Sequence, residues 1–159
     1  MKAVRMTTPK WKGLKVGQVV EFQGDPYVIV AMGMGNSIYR YGSLQIDLVL
    51  QGPSEIPNQD EETFSTSTIY MHGDDIHISV GEFGTMNDGL LIRVVGIKKL
   101  KWVMTDLAVN YIVQSVPGWP PVKINKIITD WYKANNSVPV IKEGSKVVKF
   151  DFKNHKEDK

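Results

Sequence analysis

Residues 14–33 read LKVGQVVEFQGDPYVIVAMG, and this stretch decides the first part of the fold. Its two runs, GQVVEF (17–22) and PYVIVAM (26–32), are rich in the β-branched residues that favour strands. Between them, Gln23, Gly24, Asp25 and Pro26 have the composition of a tight turn. The stretch therefore predicts a β-hairpin.

Two more strands are expected directly after this hairpin, SIYRY (37–41) and LQIDLVL (44–50), around Gly42 and Ser43. In the second run every other residue is Leu or Ile, which predicts one mostly buried side and one mostly wet side. Four short strands joined by tight turns favour a small, strongly bent barrel, because closing the sheet covers its edges.

The spacing of glycine and apolar residues in this stretch resembles the opening strands of KOW-type small β-barrels, above all those of the elongation factor P family. The matching positions are Leu14, Val16, Gly17, Val19, Val20, Phe22, Gly24, Pro26, Tyr27, Val28, Ile29 and Val30. The family presents a lysine in the loop after its second strand, whereas GMGNSIYRYG (33–42) contains none, and the likeness stops past Leu50. The resemblance implies a barrel type that binds RNA, DNA or proteins; it does not imply a role in translation.

The middle of the chain begins with QGPSEIPNQDEE (51–62), which is poor in apolar residues and predicts an exposed loop or linker. Strands are expected at 63–71, 76–80 and 90–103. Thr105 and Asp106 are suited to cap a helix with Leu107, Ala108, Tyr111 and Ile112 on its apolar face, although LAVNYIV is also good strand material.

The end of the chain has a clearer helical period. Ile124, Ile127, Ile128 and Trp131 share one face of a helix expected at 122–134. Residues 138–141 and 146–152 predict a closing hairpin around the turn at 142–145, and 154–159 a frayed tail. The fold class is therefore mainly β with a small α+β C-terminal part. It comprises a small bent β-barrel at the N-terminus, further antiparallel strands, one or two helices and the closing hairpin.

This pattern divides the chain into a small barrel-like domain (1–52), an acidic loop or linker (53–65) and a β-rich, then α+β, domain (66–159). Packing as a single domain is the alternative. The chain has 159 residues and 42% apolar residues, which is enough to bury a core. It has no cysteine, and no signal peptide or membrane span is visible, so we expect a cytoplasmic protein without a membrane partner.

Enzyme signatures are missing from the sequence. Without cysteine there is no thiol nucleophile or cysteine metal site, and no serine elbow, Walker loop or dinucleotide motif is present. We therefore predict no catalytic residue and no cofactor. The segment YMHGDDIH (70–77) predicts an acidic turn rather than a metal site. The alternative is a site formed by His72, His77 and Asp74 or Asp75, with a loop carboxylate such as Glu82 as a further ligand.

Charge is segregated along the chain. Residues 1–52 carry six Lys or Arg against three Asp or Glu, residues 53–89 none against eight, and residues 90–159 thirteen against six. The three segments have net charges of +3, −8 and +7, which together give the formal +2. The near-neutral total therefore hides a basic end that is suited to a polyanion, or to the acidic segment of the same or another copy.

The candidate nucleic-acid-binding residues are lysines for phosphate and aromatic rings for stacking. In the strand expected at 90–103, alternation places Lys99, Lys101 and Val103 on one face and Lys98, Leu100 and Trp102 on the other. Lys123, Lys126 and Lys133 come from the helix and Lys146 from the closing hairpin, while Tyr39, Arg40 and Tyr41 form an N-terminal aromatic patch. The competing interpretation is lysines dispersed over a solvated surface, with Tyr39–Tyr41 as an ordinary strand.

Two functional hypotheses follow. The first is a non-enzymatic nucleic-acid-binding accessory protein that uses its basic C-terminal face mostly for phosphate-backbone contacts with DNA or RNA. The second is a structural or adaptor protein that self-assembles, or docks on a protein partner, through acidic and basic surfaces.

Overall fold

The computed structural model describes residues 1–9, 13–33, 39–40, 43–53, 55–57, 60–134 and 146–147. The chain is mainly β, with one helix in this part and two sheets, one of them curled into a half-barrel, so the predicted fold class is confirmed. The elements are β1 (Lys2–Pro9), β2 (Val19–Phe22), β3 (Asp25–Gly33), β4 (Tyr39–Arg40), β5 (Ser43–Gln51), β6 (Thr63–Tyr70), β7 (Phe83–Thr85), β8 (Leu91–Val103), β9 (Asp106–Ser115), α1 (Pro121–Ala134) and β10 (Lys146–Val147).

The first sheet has the strand order β10-β1-β5-β3-β2, with β4 paired to β5. The predicted hairpin is confirmed, since β2 and β3 pair antiparallel up to Phe22 and Asp25. The two loop residues, Gln23 and Gly24, have φ angles of 57° and 87°. Two successive positive φ angles are typical of the tight turns whose twist matches that of the strands, and glycine adopts one of them without strain.

β1 was not expected from the sequence. It pairs antiparallel with β5 along its whole length and with β10 on its other side, which places it inside the sheet. Ala3 and Val4 are almost fully buried. The basic and polar residues around them conceal this strand in the sequence, because its stability comes from two strand partners rather than from its own propensity.

Both faces of β5 are buried from Ile46 to Gln51, which corrects the expectation that β5 has a wet side. Among the described residues, one face forms a core cluster drawn from the N-terminal segment, including Ile29, Leu48 and Leu50. On the opposite side of β5, Asp47 and Val49 are also buried. The reason is tertiary: α1 and part of the second sheet pack on that face.

The second sheet has the strand order β6-β9-β8-β7. The helix expected after Thr105 is wrong, because this segment is strand β9. Val103 pairs with Asp106, so Met104 and Thr105 form a two-residue hairpin loop, in which Met104 has a φ of 58°. Strand neighbours on both sides outweigh the helix cap and select the strand alternative that LAVNYIV also allowed.

The strand expected at 76–80 is also wrong, since this segment is irregular. It crosses the core side of the second sheet: Ile78 is buried, and its carbonyl accepts a 3.3 Å hydrogen bond from the Tyr111 hydroxyl. Tyr111 is also hydrogen-bonded to Tyr70 at 3.0 Å. Burial is the main reason that the pKa of each phenol is raised above its ordinary value.

The segment expected as an exposed loop at 51–62 is partly buried. Gln51 is the last residue of β5 and is fully buried, with its amide bonded at 2.8 Å to both the N–H and the carbonyl of Trp119. These bonds fix the backbone at Trp119, just before α1. Helix α1 confirms the helix expected at 122–134, and it buries Ile124 and Ile128 against β2 and β3. Most of the predicted closing hairpin, and the tail at 154–159, lie outside the described residues.

The expected domain division stays a prediction. One core cluster combines Val28 and Val49 of the first sheet with Phe83 and Leu91 of the second sheet and Ile124 of α1. Residues from both sides of the expected boundary at 53–65 thus pack together.

Candidate nucleic-acid interface

The second sheet has an inner and an outer face, because residues paired across antiparallel strands point to the same side. The inner face holds Tyr111, Val109 and Val113, which belong to a buried core cluster. The outer face holds their neighbours in sequence, among them Asn110 and Gln114. On β8 its residues Arg93, Lys99, Lys101 and Val103 are exposed, whereas Leu91, at the end away from the β8–β9 loop, is buried. This outer face is the candidate interface.

Three basic residues of β8 lie on the outer face. Arg93 pairs with Gln114, Lys99 with Asn110 and Lys101 with Ala108. The register shifts twice, at Val95 and at Lys98, and each shift inserts one residue that has no partner in β9. Because two inserted residues together leave the alternation of side chains unchanged, Arg93 lies on the same face as Lys99 and Lys101.

The predicted alternation is confirmed for Lys99, Lys101 and Val103 on one face, and for Leu100 and Trp102 on the other. Lys98 is the exception, since it is the inserted residue of the second bulge. Sequence alternation alone gives no signal for the bulges or for the partners in β9.

Hydrogen-bonding groups surround these cations on the outer face. Lys99 continues a row through Asn110 to Ser67 of β6, and Arg93 continues a row through Gln114 to Thr63. The Asn110 Oδ1 atom is buried and has no hydrogen-bond partner within the described part of the chain. The sequence by itself does not single out Arg93, Asn110 and Gln114, because only the cross-strand pairing places them on one face.

The inner face becomes progressively exposed towards the β8–β9 loop. On β8, Val94 is fully buried, whereas Ile97 is 48%, Leu100 59% and Trp102 70% exposed. We call residues 97–106 the hairpin end. Its two sides differ: the outer side is cationic and polar, and the inner side presents apolar groups with an accessible indole ring.

The acidic segment does not neutralise these lysines. Within the described residues, its ion pairs are made by the N-terminal amine, 2.7 Å from Glu55, and by Arg5, 2.6 Å from Glu82. Arg5 also binds Asp47 at 2.7 Å, and chiefly this hydrogen bond raises its pKa above the ordinary value. Lys98, Lys99 and Lys101 are exposed and have no ion-pair partner in that same part of the chain.

The helix lysines fall into two kinds. Lys126 and Lys133 share the solvent side of α1 with Val122 and Thr129. Lys123 lies over the Trp119 ring, with its Nζ atom 3.4 Å from the ring centre. Trp119 is therefore already engaged, whereas Trp102 is accessible.

Most of the predicted basic residues lie on two separate elements, strand β8 and helix α1. The contacts of α1 are with β2 and β3, whereas β8 packs between β9 and β7. Tyr39 and Arg40 form the short strand β4, and Lys146 begins β10. The side chains of these three residues, and all of Tyr41, lie outside the described part, so their predicted roles stay predictions.

The segment YMHGDDIH (70–77) contains the acidic turn that its sequence favours. Asp74 accepts a 2.9 Å hydrogen bond from the N–H of Met71, and the His77 ring packs edge-on against Tyr70. Glu82, the further ligand that a metal site needs, binds Arg5. Over the described residues, no group of three or more potential metal ligands comes together.

In the same residues, no helix has the length and apolar content that crossing a bilayer requires. Comparisons of the chain with protein-family models, with curated proteins and with solved structures found no match. The likeness to KOW-type barrels therefore stays a prediction.

Proposed function

We propose that the protein is a non-enzymatic, cytoplasmic nucleic-acid-binding accessory protein. Its interface is the outer face of the second sheet around Lys99 and Lys101, with Lys98 in the adjoining bulge, and it is supported by Lys126 and Lys133 of α1. Phosphate contacts supply most of the affinity, because the available charged groups are lysine point charges.

One observation carries the proposal. The lysines at the hairpin end are exposed and lack ion-pair partners among the described residues, while the described ion pairs of the acidic segment go to Arg5 and the N-terminal amine. A row of unneutralised cations beside amide and hydroxyl groups is the surface that a phosphate backbone requires. Trp102, on the opposite side of the hairpin end, is 70% exposed and offers a ring on which an unpaired base can stack.

The width of the sheet favours contact with the backbone over insertion into a groove. β6 pairs with β9 up to Tyr70 and Leu107, so the hairpin end is three strands wide. Three strands span roughly 10 Å between outer backbones before side chains are added. A B-DNA major groove of about 12 Å admits only a helix or a two-stranded ribbon. We therefore expect weak sequence preference.

The test is binding to labelled single-stranded DNA, duplex DNA and RNA across a salt series, measured by fluorescence anisotropy. On duplex DNA, each phosphate contact contributes about −0.9 to the slope of log K against log salt. Lys99→Glu is expected to make the slope shallower by about that amount, and Lys98→Glu/Lys99→Glu/Lys101→Glu by about three times as much.

Lys15→Glu is the matched control, because Lys15 is exposed far from β8 in sequence and its reversal changes net charge equally. It should leave the slope unchanged. A slope near zero for the wild-type protein, or equal effects of Lys99→Glu and Lys15→Glu, would remove the proposed interface. Lys126→Glu/Lys133→Glu tests α1 separately: an unchanged slope would confine binding to the hairpin end.

A further inference from the structure

The second sheet has an unpaired strand edge on each side. β7 covers β8 only at Leu91–Arg93, and two backbone hydrogen bonds extend this cover to Val94. From Val95 to Val103, the outer edge of β8 has no backbone partner in the described part of the chain. On the opposite side, β6 pairs only with β9 within the same part. Free N–H and C=O groups on such edges are templates for another strand.

The two edges differ in charge. The β8 edge carries Lys98, Lys99 and Lys101, whereas β6, with the sequence TFSTSTIY, has no charged residue, no proline and no register shift. β6 therefore lacks the common features that keep edges from pairing. Both ends of β6 are acidic: exposed Glu61 and Glu62 precede it, and exposed Asp74 and Asp75 follow it.

Charge decides which edges can pair. Two β8 edges would place lysines opposite lysines, and two β6 edges would bring their acidic ends together; like charges opposite each other destabilise a strand pair. A β8 edge beside a β6 edge combines opposite charges. This holds for either strand direction, because Lys101 then lies near Glu61 and Glu62 or near Asp74 and Asp75. β6 has eight residues, and the free part of β8 beyond its second register shift, Lys99–Val103, supplies five residues in regular register.

We propose that the occupant of the β8 edge is the β6 edge of a second copy of this chain, so that copies associate head to tail through a continuous sheet. This interface goes beyond nucleic-acid binding and gives the assembly hypothesis a defined surface. A head-to-tail contact uses different surfaces on the two copies, so it forms rings or open filaments rather than closed two-fold dimers.

Sedimentation velocity of the nuclease-treated full chain over a wide concentration range tests the proposal. We expect mass to increase with concentration and to decrease with salt. Lys99→Glu/Lys101→Glu should weaken association by about tenfold or more, since two attractive contacts become repulsive. Lys126→Glu/Lys133→Glu changes net charge equally on α1 and should leave association unchanged.

Mixing separates this interface from general charge attraction. Lys99→Glu/Lys101→Glu alone and Glu61→Lys/Glu62→Lys alone should each remain monomeric, whereas their mixture should associate because one acidic β8 edge meets one basic β6 flank. If the strands are parallel, Asp75→Lys replaces Glu61→Lys/Glu62→Lys as the rescuing partner. The substituted residues are exposed, and circular dichroism verifies that each variant is folded.

The proposal would be overturned by a wild-type protein that is monomeric at every concentration, or by association that Lys99→Glu/Lys101→Glu leaves intact. It would also be overturned if neither Glu61→Lys/Glu62→Lys nor Asp75→Lys restored association when mixed with Lys99→Glu/Lys101→Glu. A wild-type monomer that still binds a polyanion with a steep salt slope would reject assembly and leave the proposed nucleic-acid interface standing. Assembly without any polyanion affinity would reject the proposed nucleic-acid interface and leave the proposed contact between the β8 and β6 edges standing.

Discussion

Removal of the Arg5 side chain is expected to destabilise the protein severely. Its guanidinium binds Asp47 through two hydrogen bonds, of 2.7 and 3.1 Å, and Glu82 through one of 2.6 Å. The carboxylate side chains are only 3% and 0% exposed, whereas Arg5 is 24% exposed. Arg5 comes from β1 and Asp47 from β5, while Glu82 directly precedes β7 of the second sheet. The cluster therefore joins the two sheets.

Arg5→Met leaves two neighbouring carboxylates buried without a counter-charge. Removing one partner of a buried ion pair costs about 3–5 kcal/mol. The whole free energy of unfolding of a domain is about 5–15 kcal/mol, so this variant should be only marginally folded. Glu82 retains the 2.6 Å hydrogen bond from the Ser79 N–H, which places the expected loss near the lower bound.

Urea denaturation followed by tryptophan fluorescence measures the change, with the m-value showing whether the denatured state has altered. Arg5→Met/Asp47→Asn/Glu82→Gln is the control, because it removes the charges together and should recover most of the lost stability. A loss below about 1 kcal/mol in Arg5→Met would refute the reasoning. So would a triple variant that is less stable than Arg5→Met.

Three further substitutions test a hydrogen-bonded side chain, a turn glycine and a buried phenol. Gln51→Ala removes both bonds to the Trp119 backbone and should cost about 2–3 kcal/mol in urea denaturation; a change below about 0.5 kcal/mol would show that other groups satisfy that backbone. Gly24→Ala meets no atom within 4 Å but must adopt a φ of +87°, so thermal unfolding should report a loss of about 1–2 kcal/mol from backbone strain alone. Because burial raises the pKa of Tyr111, the folded state keeps a proton that the unfolded chain loses above about pH 10. Stability should therefore fall as pH rises beyond that value, and Tyr111→Phe should make the decline shallower; an unchanged pH profile would contradict this assignment.

The sequence determined the features that depend on local geometry. The β2–β3 hairpin follows from two β-branched runs around a turn whose residues adopt positive φ angles. Helix α1 follows from apolar spacing at 3.6 residues and from Pro121 at its first position. The placement of Lys99 and Lys101 on one face follows from strand alternation.

Only the tertiary structure decided the rest, because these features depend on residues far apart in the chain. β1 is a strand because β5 and β10 pair with it, and β9 is a strand rather than a helix because β6 and β8 flank it. The two shifts in β8 that place Arg93 beside the lysines are defined only by the register with β9. Local propensities differ by less than the free energy that strand pairing and burial supply, so partners distant in sequence select the final conformation.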